Sequence, residues 1–187
     1  MEILTHDYGR MMQPMRTIFV SICLAFFGGC ATSQPKLHAS EHWALTFPWK
    51  PKLGHQADGP DGYAIYEFTR EEEDINNWQE LVTVQNFSKT WGGPSPEDAL
   101  NSLMEVREKE CPGQTKWNII EKDENSIAYE WQAKPCLGWP DQHEIAKVID
   151  GQYNRFRIAY TAKTYQLSPE RRNEWINIIL ESKVVKD

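Results

Sequence analysis

Between residues 63 and 163, hydrophobic residues gather in six short segments that are rich in aromatic and β-branched side chains. Such segments, separated by turn-forming residues, are typical of β-strands. The strongest hairpin signal is Asp150-Gly151, which separates the last two segments. The pattern therefore predicts six strands, at residues 63–70, 78–87, 117–122, 126–133, 143–150 and 153–163.

Two other segments show the helical spacing of apolar residues, and both begin with Ser-Pro-Glu, at Ser95 and Ser168. Serine is a favoured N-cap, proline fits the first helical position, and an acidic side chain complements the helix dipole. Pro112-Gly113 ends the first helix. The predicted apolar faces are Ala99, Leu100, Leu103, Met104 and Val106 in the first helix, and Trp175, Ile176, Ile179 and Leu180 in the second.

The resulting order is ββ-α-ββ-ββ-α, with short loops between neighbouring strands. Hairpins build antiparallel sheets, and amphipathic helices need a sheet to cover. We therefore expect an α+β fold: an antiparallel sheet of about six strands with two amphipathic helices, in a single domain at residues 61–187. This order resembles the Mog1/PsbP-like fold, and the resemblance implies a sheet flanked by helices with a long helix last.

Before this domain, the uncharged run "TIFVSICLAFF" at residues 17–27 follows Arg16. Eleven residues of helix cover only about 16 Å, roughly half of a bilayer core. The run is therefore too short for a transmembrane helix and fits a signal peptide at residues 1–29. The first 10 to 14 residues carry acids and Pro14, so we expect translation to start at a later methionine.

The end of this run, "FFGGC", closes with Cys30 and resembles the lipobox of bacterial lipoproteins. The resemblance implies that Cys30 receives a diacylglyceryl group, that signal peptidase II cuts before it, and that its new amine is acylated, as with palmitate. Ala31 at the next position implies transfer to the outer membrane in a two-membrane bacterium. This chain has Phe27 where the family usually has leucine. The alternative is a chance cysteine in a signal peptide or buried helix.

Residues 30–60, dense in proline and glycine after a polar start, are expected to be the lipidated cysteine and its tether. Trp43, Phe47 and Trp49 either pack on the domain as an irregular arm or bind a partner or glycan strand. His38 and His42 are four residues apart, which would suit a metal on a helix, but nothing else indicates a helix there. We therefore predict no metal site.

The chain contains four cysteines, for which the sequence predicts three different fates. Cys23 leaves with the signal peptide and Cys30 is lipidated. Cys111 and Cys136 remain, and an even pair in an oxidising compartment predicts a disulfide. It would join the end of the first helix to the loop after the fourth predicted strand. A zinc pair is the alternative, but no histidine or further cysteine lies at zinc spacing near either residue.

The chain carries a formal net charge of −7 and no basic cluster, which argues against nucleic-acid binding. It also lacks the common phosphate-binding and hydrolase motifs, and we predict no cofactor. The best polar cluster is "DQHEIAK", in which His143 could act as a general base beside Asp141 and Glu144. Adjacent strand residues point to opposite faces, however, so a solvated strand end is the alternative. Glu130 is expected to be exposed or paired with a cation.

In the loop "CLGWPDQ", Leu137 and Trp139 lie beside Cys136. A disulfide would hold these side chains rigid, which suits a contact surface, unless the loop folds back on the sheet. The sequence thus favours a membrane-anchored, non-enzymatic binding or support module whose partner is an envelope protein or the cell wall. The alternatives are a hydrolase-like enzyme that uses His143 and an inhibitor or immunity protein.

Overall fold

The computed structural model describes residues 41–59, 62–89 and 94–186. Cys30, Ala31 and His38 lie outside this range, and so does the segment interpreted as a signal peptide. The described elements are β1 (Glu41–Ala44), β2 (Pro51–Asp58), β3 (Ala64–Arg70), β4 (Glu80–Ser88), α1 (Pro96–Glu110), β5 (Thr115–Lys122), β6 (Ser126–Ala133), β7 (Gln142–Asp150), β8 (Asn154–Ala162), α2 (Pro169–Glu181) and β9 (Lys183–Lys186).

Seven of the strands form one antiparallel sheet in the order β2-β3-β4-β8-β7-β6-β5. A meander of β2, β3 and β4 is followed by α1, after which β5 starts the opposite edge. The strands β5 to β8 then return by hairpins until β8 pairs with β4. The separate pair of β1 and β9 is also antiparallel. The predicted α+β class is confirmed, but the sheet is larger than the six strands expected.

The additional strands come from segments with weak sequence signals. β2 reads "PKLGHQAD"; it begins with Pro51 and shifts register around Gly54. Proline at a first position and glycine at an irregularity are both tolerated on an edge strand, which needs only one partner. β1 and β9 have four residues each, too few to show a period. Residues 41–58, assigned above to the tether, therefore contribute two strands.

Both predicted helix starts are confirmed. Ser95 accepts a hydrogen bond from the backbone N–H of Asp98, whose carboxylate accepts one from the backbone N–H of Ser95. This reciprocal capping box satisfies two donors that the first turn would otherwise leave unpaired. Ser168 likewise accepts from the backbone N–H of Arg171.

The sheet carries a hydrophobic core on each face, because successive strand residues point to opposite sides. Ile145 belongs to the core under α2, while its neighbour Ala146 belongs to the core under α1. On the α2 side, the Trp175 ring stacks on Tyr160 with 4.0 Å between centroids. On the α1 side, Leu100 packs in the core that also holds Tyr129, Trp131, Ala133 and Val148.

Candidate functional site

The loop between β6 and β7 contains a tight turn, Cys136–Trp139, which we call the 136–139 turn. The backbone N–H of Cys136 donates to the carbonyl of Trp139 at 3.2 Å, and the reverse bond measures 2.9 Å. Leu137 and Gly138 both have positive φ, at 50° and 83°. Two central residues with positive φ define a type I′ turn, in which the first position favours asparagine, aspartate or glycine.

Leucine in the left-handed region is a strained choice for such a turn. Backbone strain at an exposed position points to a role for the side chain that occupies it. Leu137 is 64% exposed, the most exposed of the large hydrophobic residues in the described ranges, and Trp139 is 43% exposed. The turn thus presents two large apolar side chains to solvent.

A disulfide fixes the base of this turn. Cys111 is the C-cap residue of α1, and its sulfur is bonded to that of Cys136. Cys111 itself is buried, so the covalent link ties the turn to the packed end of a helix. The predicted bridge between the first helix and the loop after β6 is confirmed. The 136–139 turn is therefore held by backbone bonds, a disulfide and the two strands that flank it.

Replacing Cys111 and Cys136 together by serine is expected to lower the free energy of unfolding by about 3 kcal/mol. The reason is that the bridge closes a loop with a sequence separation of 25 residues, which restricts the unfolded chain. Urea unfolding of the oxidised protein and of the double variant measures the difference. Reducing the native protein should reproduce the effect, whereas equal midpoints in all three samples would contradict the prediction.

Trp43 and Trp49, the other aromatic candidates for a binding surface, are half-buried. Both pack against the core under α2, as does Phe47. Trp43 contacts Phe68 edge-on, and Trp49 contacts Trp175 with 6.2 Å between centroids. These contacts favour the packing interpretation of the arm over partner binding. Leu137 and Trp139 remain as the exposed members of the predicted surface.

His143 lies in the core rather than at a solvated strand end. Its side chain is 0% exposed, and both ring nitrogens have partners. Nδ1 accepts from the backbone N–H of Leu167 at 3.1 Å, and Nε2 lies 3.3 Å from Glu130 Oε2. With Nδ1 accepting, the proton resides on Nε2 and is directed at Glu130. A base enclosed in this way has no free nitrogen for a substrate.

Glu130 belongs to the same cluster. Its carboxylate accepts two hydrogen bonds from Arg172 on α2, at 2.6 and 2.7 Å, and one from Asn118 at 2.9 Å. Burial alone would raise the pKa of Glu130, but the bonds from Arg172 and Asn118 hold it below its usual value. The expected pairing with a cation is confirmed. The cluster joins α2 to β5, β6 and β7.

The free energy of unfolding is expected to fall as the pH drops below about 6.5. Burial keeps the pKa of His143 below 6.5, whereas the unfolded chain takes up a proton near that value. Below pH 6.5 the unfolded state therefore binds more protons than the folded state, and stability falls until the pH reaches the pKa of His143 in the folded protein. Glu130 causes a second loss of stability as the pH falls below 4.5, the ordinary pKa of a glutamate side chain.

Urea unfolding at a series of pH values tests this linkage. A His143→Gln variant keeps a polar side chain but cannot titrate, so its stability should be flat between pH 7 and 5.5. If this variant and the native protein lose stability in parallel over that window, the buried histidine is not the cause.

Glu144 lies on the opposite sheet face from His143, as the alternation of strand residues predicts. Its carboxylate is buried and accepts hydrogen bonds from Arg157 at 2.5 Å, from Trp131 Nε1 at 2.7 Å and from Thr161 at 3.1 Å. Arg157 also donates to the Tyr129 hydroxyl at 2.9 Å. Burial raises the pKa of Tyr129 to about 12, so that the phenol stays protonated. Asp141 takes part in neither the hydrogen bonds of Glu130 nor those of Glu144.

This second cluster could not be predicted from the sequence, because its members lie on four different strands, β4, β6, β7 and β8. Arg157 also donates to Gln85 on β4, and the Arg107 guanidinium of α1 lies over the Trp131 ring at 4.5 Å. The one sequence signal is a set of charged residues inside otherwise apolar strands.

Two open depressions lie at the other end of the sheet from His143, lined by residues that include Ser95, Asp123 and Lys147.

Within residues 41–59, 62–89 and 94–186, no group of three metal-ligating side chains is close enough to hold an ion. None of the helices in this part of the chain has the length and apolarity needed to cross a bilayer.

A protein-family model matches residues 52–133, from β2 through α1 to the last residue of β6. The matched range contains Cys111 and Glu130 but ends before Cys136 and Trp139. No curated protein matches the chain.

Proposed function

We propose that this protein is a lipid-anchored binding module of the bacterial envelope, which contacts another envelope protein through the 136–139 turn. The observation that carries the proposal is the combination of exposure and rigidity at Leu137 and Trp139. Large apolar side chains on a backbone that is already held in place cost less ordering entropy on binding than those on a mobile loop. Tryptophan in particular is enriched among the residues that dominate interface energies.

The chemistry of the turn favours a protein partner with an apolar pocket over a glycan strand. The backbone groups of Cys136 and Trp139 are bonded to each other, so they are not free to bind sugar hydroxyls. Leu137 adds an aliphatic side chain, which would face the polar hydroxyl groups of a bound sugar instead of an apolar pocket.

The enclosure of His143 argues against the hydrolase-like alternative. A general base must come within hydrogen-bond reach of the proton that it removes. His143 is buried and bonded at both nitrogens, and its neighbour Glu144 lies on the other face of the sheet. Both groups instead link elements of the fold.

The anchor in this proposal rests on the lipobox-like stretch that ends in Cys30, and the outer-membrane location rests on Ala31. A disulfide between Cys111 and Cys136 suits an oxidising compartment outside the cytoplasm. The same proposal includes a relation of the domain to the Mog1/PsbP-like fold, supported by the antiparallel sheet with a helix on each face.

Replacing Trp139 by alanine is expected to weaken partner binding by about 2 kcal/mol, or roughly 30-fold, because a central interface tryptophan is lost. Recovery of crosslinked partners from native envelopes, compared with the unaltered protein, measures the effect. Leu53→Ala is the matched control, since Leu53 is 48% exposed but lies on β2. The control should leave recovery unchanged, and both variants should unfold at the native midpoint.

An equal loss in the two variants, or no loss for Trp139→Ala, would contradict binding through the turn. A His143→Gln variant that stays folded but loses the cellular function, while Trp139→Ala keeps it, would favour the enzyme alternative.

A further inference from the structure

The large sheet has two edges of different character, β2 and β5. β2 begins with Pro51, which has no backbone N–H, and its register shifts at Gly54, so its outer side lacks a regular row of donors. β5 contains neither proline nor glycine over its eight residues. In the ranges that the structure describes, β5 pairs with β6 alone. β5 is therefore the edge that is open to a further strand.

The backbone groups at this open edge belong to Thr115, Trp117 and Ile119. The N–H of Lys134 donates to the carbonyl of Gln114 at 3.2 Å, so the backbone groups of Gln114 face β6. Because these groups point to alternate sides along a strand, those of Thr115, Trp117 and Ile119 face outward. The pairing of β5 with β6 is regular through Ile119 and shifts only after it. Three N–H and three C=O groups thus form a regular row.

Apolar surface lies beside this row. Ile119 is opposite Tyr129, on the sheet face that α1 covers. Because α1 packs mainly over β6 and β7, Ile119 on the outer strand remains 48% exposed. Trp117 is half-buried, and its ring contacts those of Tyr129 and Trp131 with 6.0 and 5.9 Å between centroids. An added strand would cover Ile119 and the outer side of Trp117.

We propose that a second copy of this protein occupies this edge, so that two β5 strands pair antiparallel about a twofold axis and join the two large sheets. Centred on Trp117, the pairing places Thr115 of each copy opposite Ile119 of the other. All three outward-facing residues of both strands then find partners, and the interface gains up to about six backbone hydrogen bonds. This interface is separate from the contact proposed for the 136–139 turn.

The charges of β5 suit pairing with itself. Lys116 is the one charged residue at positions 114–120, and in this register it lies opposite the neutral Asn118 of the second copy. Lys122, which follows the irregularity, is already paired with Glu97 of its own chain at 2.7 Å. The register therefore avoids the like-charge pairs that destabilise neighbouring strands.

The symmetry of this pairing limits its size. A twofold interface uses the same surface on both copies and is closed. Both outer edges of the joined sheet are then β2, where Pro51 and the irregularity at Gly54 oppose the addition of another strand. The expected assembly is a dimer and not a fibre. An extended segment of a different protein is the competing occupant of the edge.

Co-recovery of two differently tagged full-length chains tests the dimer. The chains are expressed together, extracted in an excess of mild detergent and captured through one tag, and the native chains should be recovered together. Ile119→Lys in both chains should lower this recovery roughly tenfold or more, because an edge lysine opposes strand addition. Leu53→Lys is the matched control, since Leu53 is also 48% exposed but lies on β2. The control should leave recovery unchanged.

Both variants should unfold in urea at the native midpoint, which shows that the edge substitution acts on association. Native chains that are not recovered together would overturn the dimer. Recovery of folded Ile119→Lys at the native level, or an equal loss in Leu53→Lys, would overturn the assignment of the interface to β5.

Photo-crosslinking from position 116 provides a second measurement that leaves Ile119 in place. A benzophenone amino acid at Lys116 of the full-length chain should yield a product of twice the chain mass, with the link near Asn118 of the differently tagged copy. A product with a different protein, and none of twice the chain mass, would show that a foreign strand occupies the edge and would overturn the second-copy proposal.

Discussion

Replacing Cys30 by serine is expected to remove the lipid and, with it, the attachment of the processed protein to the membrane. The physical reason is that each buried methylene contributes about 0.8 kcal/mol to membrane binding, so several acyl chains on one residue hold a protein almost permanently. Serine has no thiol to receive the diacylglyceryl group. Fractionation of cells should find the native protein with the membranes, and mass spectrometry should find lipid on Cys30.

Cys23→Ser provides the matched control, because Cys23 lies in the segment interpreted as a signal peptide. It should change neither processing nor location. A Cys30→Ser protein that is processed normally and remains in the membrane fraction would contradict the anchor.

The Glu144→Ala variant is expected to lose about 3–5 kcal/mol of stability, the largest effect that we predict for a single residue within the fold. The carboxylate accepts three hydrogen bonds, and its removal leaves the mostly buried Arg157 guanidinium without its negative partner. Urea unfolding, with the slope checked for two-state behaviour, measures the loss.

Glu105→Ala is a suitable control, because Glu105 is exposed on α1. Its replacement should change stability by no more than about 0.5 kcal/mol. If Glu144→Ala lowers the free energy of unfolding by less than the roughly 0.5 kcal/mol typical of a surface substitution, the cluster does not stabilise the sheet as its contacts indicate.

The parts of the fold that follow from the sequence are those with local signals. The Ser-Pro-Glu starts predicted both helices because capping is a contact between residues three apart. Asp150-Gly151 predicted the β7–β8 hairpin because a turn, like a cap, is formed by residues that are close in the sequence. β2 was missed because an edge strand needs neither alternation nor a continuous row of donors, and Pro51 and Gly54 resemble a loop.

The environment of His143 could not be predicted in the same way. Its partners are Glu130 on the neighbouring strand and the backbone at Leu167, which are 13 and 24 residues away. Only the pairing of β6 with β7 and the docking of α2 bring them together. The exposure of Leu137 and Trp139 was also left open by the sequence, because side chains in a Gly/Pro loop beside a disulfide can either face solvent or fold back on the sheet.

Photo-crosslinking from position 137 in living cells tests the central proposal most directly. A benzophenone amino acid at Leu137 should yield one discrete crosslinked protein, while the same group at Leu53 should yield none. Both positions expose a large aliphatic side chain, so their difference isolates the turn. Crosslinking at Leu53 with none at Leu137, in cells where both proteins are folded and lipidated, would contradict binding through the 136–139 turn.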